Sequence, residues 1–277
     1  MPSYAFKTSR FEAQPDWPES WRVSHHHDDV EIWGGKSNPG YTRMYDQRRK
    51  RVLDALSSIA SPGAKLLDLA AAQGNYTLAA TAMGYRVTWN DLRADLVDYV
   101  KLKSPLAAQV EFVPGNIFDL GDRFASAFDV ALALEVVEHV AHPDQFLAQL
   151  ATVVKPGGHL VISTPNGGYF LNRLPRFSDC PDASIYEDQQ FKPDSDGHIF
   201  LLHQDEIVSL SKRAGLELVR HEMFTNPLSA GHAKTAGLHR ILPGAAIDAV
   251  ERVTALLPDA FTRKLSAASV TVLRRPS

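Results

Sequence analysis

The residues Lys65-Leu-Leu-Asp-Leu-Ala-Ala-Ala-Gln-Gly-Asn75 are the stretch on which the fold of this chain depends. A short apolar run containing Asp68 leads through small residues to Gly74, and residues 76–83 have a helical composition. This order predicts a strand, a tight turn and the start of a helix. Small side chains in such a turn let the backbone approach a ligand closely.

Strands and helices alternate regularly on either side of this turn, which predicts an α/β fold with a doubly wound parallel sheet. The predicted strands are residues 65–70, 85–91, 110–116, 128–135, 159–164, 216–224 and 268–274. The predicted helices are residues 41–59, 75–83, 94–103, 143–154 and 204–214, and residues 155–158 are predicted as a turn. Because residues 128–135 are almost continuously apolar, we expect them to form a central strand buried on both faces.

Two long segments, residues 166–197 and 225–266, interrupt the alternation, and the second is predicted to contain an apolar helix near residues 245–257. We predict a main domain over residues 61–277, in which these insertions build a substrate pocket. Residues 1–60 are predicted to cover the active site, with an irregular arm over about 1–40 and a helix after it. The arm contains the run His25-His26-His27, which is either solvated surface or part of a lid over the pocket.

The bulk composition restricts the class of protein. With 277 residues, 44% of them hydrophobic, the chain can bury one sizeable core. A formal net charge of −3 makes nucleic acid an unfavourable partner. The single cysteine, Cys180, suits a reducing compartment. No apolar run has the length of a membrane span or signal peptide, so we predict a cytoplasmic protein without membrane association. The sequence leaves a homodimer open.

The stretch around Asp68 resembles the first motif of the class I S-adenosylmethionine-dependent methyltransferases, which usually reads Asp-x-Gly-x-Gly-x-Gly. Ala70 and Ala72 depart from that pattern, and only Gly74 is kept. A nicotinamide-binding turn would instead require Gly-x-Gly-x-x-Gly. The resemblance covers about residues 40–224 and the final strand. It implies a seven-stranded Rossmann-like sheet, mostly parallel with an antiparallel last strand, and helices on both faces.

The same resemblance implies that S-adenosylmethionine is the cofactor. An acid at the position of Asp91 would accept hydrogen bonds from the ribose hydroxyls. Leu92 and Ile117 would enclose the adenine ring, and Asn116 would reach its amino group. The full set of predicted cofactor-binding residues is Asp68, Ala70, Gly74, Asp91, Leu92, Asn116 and Ile117.

Glu135-Val-Val-Glu138-His139, followed later by His198-Ile-Phe, is similar to segments of the metal-dependent O-methyltransferases. These include ubiquinone-biosynthesis enzymes and small-RNA 2′-O-methyltransferases. The resemblance implies a divalent metal, Mg²⁺ or a similar ion, on Glu135, Glu138, His139 and His198, although two carboxylates with two imidazoles suit Mn²⁺ or Zn²⁺ better. One helical turn could bring the first three together. Glu135, His139 and His203 are the candidate catalytic residues. A structural turn without metal is the other interpretation.

These features favour a metal-assisted O-methyltransferase of a small molecule with adjacent oxygens, such as a sugar, a glycoside or a catechol. The alternative is a metal-free N- or C-methyltransferase. A nucleic-acid methyltransferase and a binding protein that has lost the chemistry are two further hypotheses, the second motivated by Ala70 and Ala72.

Overall fold

Seven strands form one sheet in the computed structural model, which describes residues 8–35, 37–190 and 197–277. The strands are β1 (Lys65–Leu69), β2 (Arg86–Asp91), β3 (Glu111–Pro114), β4 (Phe128–Leu134), β5 (Val154–Pro165), β6 (Glu217–Phe224) and β7 (Ala268–Arg274). Their order is β3-β2-β1-β4-β5-β7-β6. The first five strands are parallel, and β7 is antiparallel to β5 and β6. The predicted sheet with its antiparallel last strand is confirmed.

Helices connect these strands and cover the sheet. In the described residues they are α1 (Glu19–Glu31), α2 (Pro39–Ile59), α3 (Asn75–Ala82), α4 (Leu96–Lys103), α5 (Pro143–Val153), α6 (Gln204–Arg213), α7 (Pro227–Ala230), α8 (Gly244–Ala255) and α9 (Asp259–Leu265). Helix α2 begins where the Asn38 side chain accepts a hydrogen bond from the Tyr41 amide, with Pro39 in the first turn. None of the described helices combines the length and apolar character needed to cross a bilayer.

The core lies on both faces of the sheet. Val130 and Leu132 of β4 pack in one cluster with α2. Ala131 and Ala133 of the same strand point to the opposite face and pack with α5. Successive side chains of a strand alternate between faces, so a strand buried on both sides must be apolar throughout. This explains the continuous apolar run that predicted a central strand.

The prediction of an irregular arm over residues 1–40 is wrong for residues 19–31, which form helix α1. Ser24, Asp28 and Glu31 are buried in α1, at a spacing of four and then three residues. They therefore share one face of the helix. Because that buried face is polar, the apolar periodicity that reveals most amphipathic helices is missing here.

The predicted turn at residues 155–158 is also corrected, since these residues lie inside β5. Phe128 pairs with Val154 and Val130 pairs with His159, so β5 carries extra residues opposite β4. Gly157 has φ = +79°, a conformation that glycine adopts without strain. The glycines therefore form a bulge within one strand instead of ending a connection before it.

The two predicted insertions have different structures. In residues 166–197, short 3₁₀ turns occur at Phe177–Asp179 and Ala183–Gln189, and residues 191–196 lie outside the described part. The segment 225–266 contains α7, α8 and α9, with a 3₁₀ turn at Ala236–Arg240. The apolar helix predicted near residues 245–257 corresponds to α8.

Candidate functional site

The turn after β1 keeps the backbone shape of a glycine-rich turn although two of its glycines are replaced. Ala70, Ala72 and Gly74 have φ of +53°, +46° and +72°. An added Cβ at Gly74 would lie 2.9 Å from a Val100 methyl group, so only glycine fits there. The two alanines are accommodated in left-handed conformations that cost an L-residue roughly 1–2 kcal/mol.

We therefore expect Ala70→Gly and Ala72→Gly each to stabilise the protein by about 0.5 kcal/mol. Glycine removes the left-handed strain, and part of this gain is offset by the greater freedom of the unfolded chain. Urea unfolding measures the change. Ala71→Gly is the matched control, because φ of Ala71 is not positive and this substitution should destabilise the protein. Equal effects at all three positions would contradict the strain argument.

Two buried aspartates support this turn. Asp68 accepts a hydrogen bond of 2.5 Å from the Thr77 hydroxyl, and burial raises the pKa of its carboxyl to about 7. Asp91, at the end of β2, accepts a hydrogen bond of 2.9 Å from the Ala72 amide. The same carboxylate is paired with the Arg93 guanidinium at 2.9 Å. Asp91 thus holds the turn and faces a cation.

Two cavities meet at the carboxyl end of the sheet, between β1 and β4. The smaller has a volume of about 260 Å³ and the larger about 630 Å³. Both are lined by Leu69, Ala70, Asp91 and Val136, so the turn after β1 lies between them. Sheets of this type bind ligands at the edge where the strand order reverses, which here is the gap between β1 and β4.

The smaller cavity contains some of the predicted adenine-contacting residues. Leu92 and Asn116 line it. Ile117 does not belong to its lining, because the side chain is buried in the apolar core. Phe118, one residue further, lines the cavity in its place. Sequence reasoning missed Phe118, because the 3₁₀ turn that begins at Ile117 directs neighbouring side chains to different sides.

Glu135 lies on the wall of the larger cavity, directly after β4. It has φ = +56°, so the chain turns sharply and the helical turn predicted to join Glu135 to Glu138 is absent. Its carboxylate accepts a hydrogen bond from Ser163 at 2.9 Å and lies 3.0 Å from the buried Arg48 guanidinium. Burial lowers the pKa of Arg48, but the nearby negative groups, with Glu135 first among them, together outweigh burial and raise it.

Glu138, His139 and His198 converge in space. One ligand atom from each lies within 4.8 Å of the other two. Glu138 is buried, and its Oε2 accepts a hydrogen bond of 3.0 Å from Thr164. Its Oε1 has no hydrogen-bond partner among the described residues. The Ile199 amide donates to the Glu138 carbonyl at 2.7 Å, which brings the neighbouring His198 to the group.

The environment of Glu138 is unfavourable for an isolated negative charge. Burial and the nearby Glu135 charge raise the pKa of the Glu138 carboxyl well above its ordinary value. An unpaired buried carboxylate costs several kcal/mol unless a cation or hydrogen bonds compensate it. The structure thus brings three of the four predicted metal ligands together, and Glu135 is held by Arg48 instead.

The other predicted histidines lie in different surroundings. His203 is the N-cap residue of α6, and its amide donates a hydrogen bond of 2.9 Å to the Glu206 carboxylate. His203 lines neither of the two cavities. His27 of α1 lines the larger cavity. His25 Nε2 donates a hydrogen bond of 2.8 Å to the Phe11 carbonyl, and the ring packs among aromatic side chains. Only one member of the histidine run therefore faces the larger cavity.

Residues 41–221 are similar to a known protein family. The profile described as a methyltransferase domain matches residues 41–221, more than half of the chain. The chain belongs to this family. The match begins in α2, so this methyltransferase domain includes the helix that carries Arg48. The class I S-adenosylmethionine-dependent methyltransferase predicted from the sequence is confirmed at the level of family and fold.

Relatives and solved structures extend the comparison. The domain is 28% identical over 165 residues to a ubiquinone biosynthesis O-methyltransferase of Xanthomonas campestris, a match that spans 57% of this chain and 66% of the relative. A SAM-dependent methyltransferase of Archaeoglobus fulgidus superimposes with a TM-score of 0.55 at 12% identity, over 90% of this chain and 97% of the other. The [4+2]-cyclase SpnF also superimposes with a TM-score of 0.55, at 18% identity over 95% and 98%. Such structural likeness shows the fold alone.

Proposed function

We propose that this methyltransferase transfers the methyl group of S-adenosylmethionine to a hydroxyl oxygen of a small molecule with the help of a divalent metal. The observation that carries the proposal is the convergence of Glu138, His139 and His198 next to the larger cavity. The name of the Xanthomonas campestris relative, an O-methyltransferase, supports oxygen as the acceptor atom.

The two cavities suit the two ends of the cofactor. We assign adenine to the smaller one, with Leu92, Asn116 and Phe118 around the ring. The ribose would lie at Asp91, where both cavities meet, and its hydroxyls would compete with Arg93 for the carboxylate. The methionine end would extend past the turn after β1 into the larger cavity. Asp68 is its predicted support, since it lines that cavity and holds α3 through Thr77.

The chemistry of the three converging residues fits a divalent metal. One carboxylate and two imidazoles form a ligand set typical of Mn²⁺, Fe²⁺ or Zn²⁺, and Mg²⁺ is the ion that the sequence resemblance implies. Glu138 Oε1, buried without a described hydrogen-bond partner, is the orphaned atom that a cation would satisfy. Ligands about 2.1 Å from one ion lie up to about 4 Å apart, so the group needs only a small contraction. When bound, the metal would lower the pKa of an acceptor hydroxyl.

Residues of the chain itself would align the reactants, remove the proton and exclude water. Methyl transfer from a sulfonium is an in-line displacement, so the acceptor oxygen, the methyl carbon and the sulfur must be aligned. We assign two roles to Glu135. Its carboxylate would accept a hydrogen bond that orients the acceptor hydroxyl, and it would receive the hydroxyl proton as the carbon–oxygen bond forms and the carbon–sulfur bond breaks, which releases S-adenosylhomocysteine. Arg48 and Ser163 fix the orientation of this carboxylate. Ser24 and His27 of helix α1 line the larger cavity, and we assign to this helix the exclusion of water from the reacting groups.

The lining of the larger cavity and the net charge of the chain bear on the identity of the acceptor. The larger cavity is lined by many polar side chains, which suits a small molecule that carries several hydroxyls. A sugar or glycoside with adjacent oxygens remains our proposal, as does an acceptor other than nucleic acid for a chain with a net charge of −3. A cytoplasmic location and a homodimer remain predictions from the sequence.

Metal analysis combined with an activity assay tests the proposal. Protein purified without chelator and incubated with S-adenosylhomocysteine should retain about one divalent metal per chain by mass spectrometry. Chelation should abolish methyl transfer to a panel of vicinal diols, and adding the metal back should restore it. Full activity of metal-free protein on an amine or carbon acceptor would instead support the N- or C-methyltransferase alternative.

A further inference from the structure

A fully buried ion pair lies behind the turn that follows β1. Lys103 ends α4, Asp28 lies in α1, and both side chains have 0% exposure. Lys103 Nζ donates to Asp28 Oδ1 at 2.9 Å. Such a pair is weak support for stability, because the desolvation of both charges offsets their attraction. A role for this pair must therefore be sought in the other hydrogen bonds that Lys103 and Asp28 make.

The two other donors of Lys103 are used by the turn itself. Nζ donates to the Gln73 carbonyl and to Asn75 Oδ1, each at 2.6 Å. These two residues flank Gly74. An ammonium group has three donors, so Lys103 directs two of them to the turn and one to α1. A single buried cation thus fixes both residues next to Gly74, the one predicted motif glycine that this chain keeps.

Helix α1 holds the same turn from the other side. Asn75 Nδ2 donates to Asp28 at 3.0 Å and to Glu31 at 2.9 Å. Gln73 Nε2 also donates to Glu31, at 2.9 Å. Glu31 lines the larger cavity together with Ser24 and His27. The hydrogen bonds therefore connect the wall of that cavity to the turn between the two cavities.

We infer that Lys103 is a positioning residue for cofactor binding, which couples the turn at residues 70–75 to the docking of α1 over the larger cavity. This inference rests on the proposed binding of S-adenosylmethionine by that turn. Ala70 and Ala72 adopt left-handed conformations in this turn, which cost an L-residue roughly 1–2 kcal/mol. Lys103 and the α1 carboxylates compensate by holding the turn in its binding conformation.

The test compares Lys103→Met with Lys101→Met. Lys101 lies on the same helix with its side chain 54% exposed, so it is the matched control. Calorimetry with S-adenosylhomocysteine should show a dissociation constant about tenfold higher for Lys103→Met and unchanged for Lys101→Met. The KM for S-adenosylmethionine should rise in parallel, while kcat at saturating cofactor changes less than twofold. A lower unfolding midpoint with unchanged affinity would show a merely structural role and overturn the inference.

Lys103→Met leaves the buried Asp28 carboxylate without a cationic partner, and this variant can fail to fold. A second variant and a measurement on the unaltered protein therefore test the same inference. Combining Asp28→Asn with Lys103→Met removes both charges. This double variant should recover part of the unfolding midpoint while its affinity for S-adenosylhomocysteine stays about tenfold weaker, because the turn still lacks its donor. Affinity equal to that of the unaltered protein would overturn the inference.

Hydrogen exchange on the unaltered protein tests whether the turn and α1 are coupled. Adding S-adenosylhomocysteine should slow exchange at least tenfold in residues 70–75 and also in α1. Protection of the turn without protection of α1 would contradict the coupling. Failure of the unaltered protein to bind S-adenosylhomocysteine at all would instead refute the proposed function, so the two failures are distinguishable.

Discussion

Replacing Glu138 with Gln is expected to lower the rate of methyl transfer about 10³-fold. The amide keeps the shape of the side chain but removes the only carboxylate of the group formed with His139 and His198. If these residues hold the proposed metal, its loss removes several kcal/mol of stabilisation of the reacting oxygen. Steady-state assays with the unaltered protein and Glu138→Gln measure the ratio of kcat values.

Binding of the cofactor should survive this substitution, since Glu138 lies in neither cavity lining. The dissociation constant for S-adenosylhomocysteine should therefore stay within about twofold, while the metal content falls. Glu217→Gln, an exposed glutamate at the start of β6, is the matched control and should change neither quantity. Turnover of Glu138→Gln within tenfold of the unaltered protein would rule out the metal-assisted mechanism.

Asp68→Asn is expected to change how stability depends on pH. Burial raises the pKa of Asp68 to about 7 in the folded state, whereas an unfolded aspartate has a pKa of about 3.9. Since the folded pKa is the higher one, the favourable contribution is complete below about pH 4 and is lost as the pH rises through 7. The total loss is about 4 kcal/mol, of which roughly 2.5 kcal/mol falls between pH 5 and pH 8.

The free energy of unfolding in urea, measured from pH 5 to pH 8, tests this expectation. The unaltered protein should lose about 2.5 kcal/mol relative to Asp68→Asn over that range. Asp98→Asn is the control, because the Asp98 side chain is 75% exposed. Its pH profile should run parallel to that of the unaltered protein. Parallel profiles for Asp68→Asn as well would mean that Asp68 is ionised throughout this range in the folded state.

The sheet could be predicted because its signals are local. The apolar run 128–135, the turn after β1 and the acid at the end of β2 each follow from short segments, and alternation of strands and helices allows few topologies. Helix α1 escaped prediction because Ser24, Asp28 and Glu31 make its buried side mainly polar, with Val30 as its one buried apolar residue. The two buried carboxylates accept hydrogen bonds from distant parts of the chain, Asp28 from Asn75 and Lys103 and Glu31 from Asn75.

Some residues of the candidate site could also be identified from the sequence, and others could not. From the sequence, Asp68, Asp91 and the Glu138-His139 pair could be chosen, because each lies near the carboxyl end of a predicted strand and carries a suitable functional group. The lining role of Phe118 and the position of Ile117 could not, since the direction of a side chain in a 3₁₀ turn depends on what it packs against. The same holds for Glu135, whose carboxylate pairs with Arg48, 87 residues earlier in the chain.

By itself, the sequence determined the methyltransferase family and the succession of strands along the chain, because these depend on hydrophobic periodicity and on motifs of a few residues. Only the tertiary structure decided which charged groups meet. It pairs Lys103 with Asp28 and Arg48 with Glu135. Such contacts depend on the desolvation of groups far apart in the chain, and no local pattern of residues encodes that term.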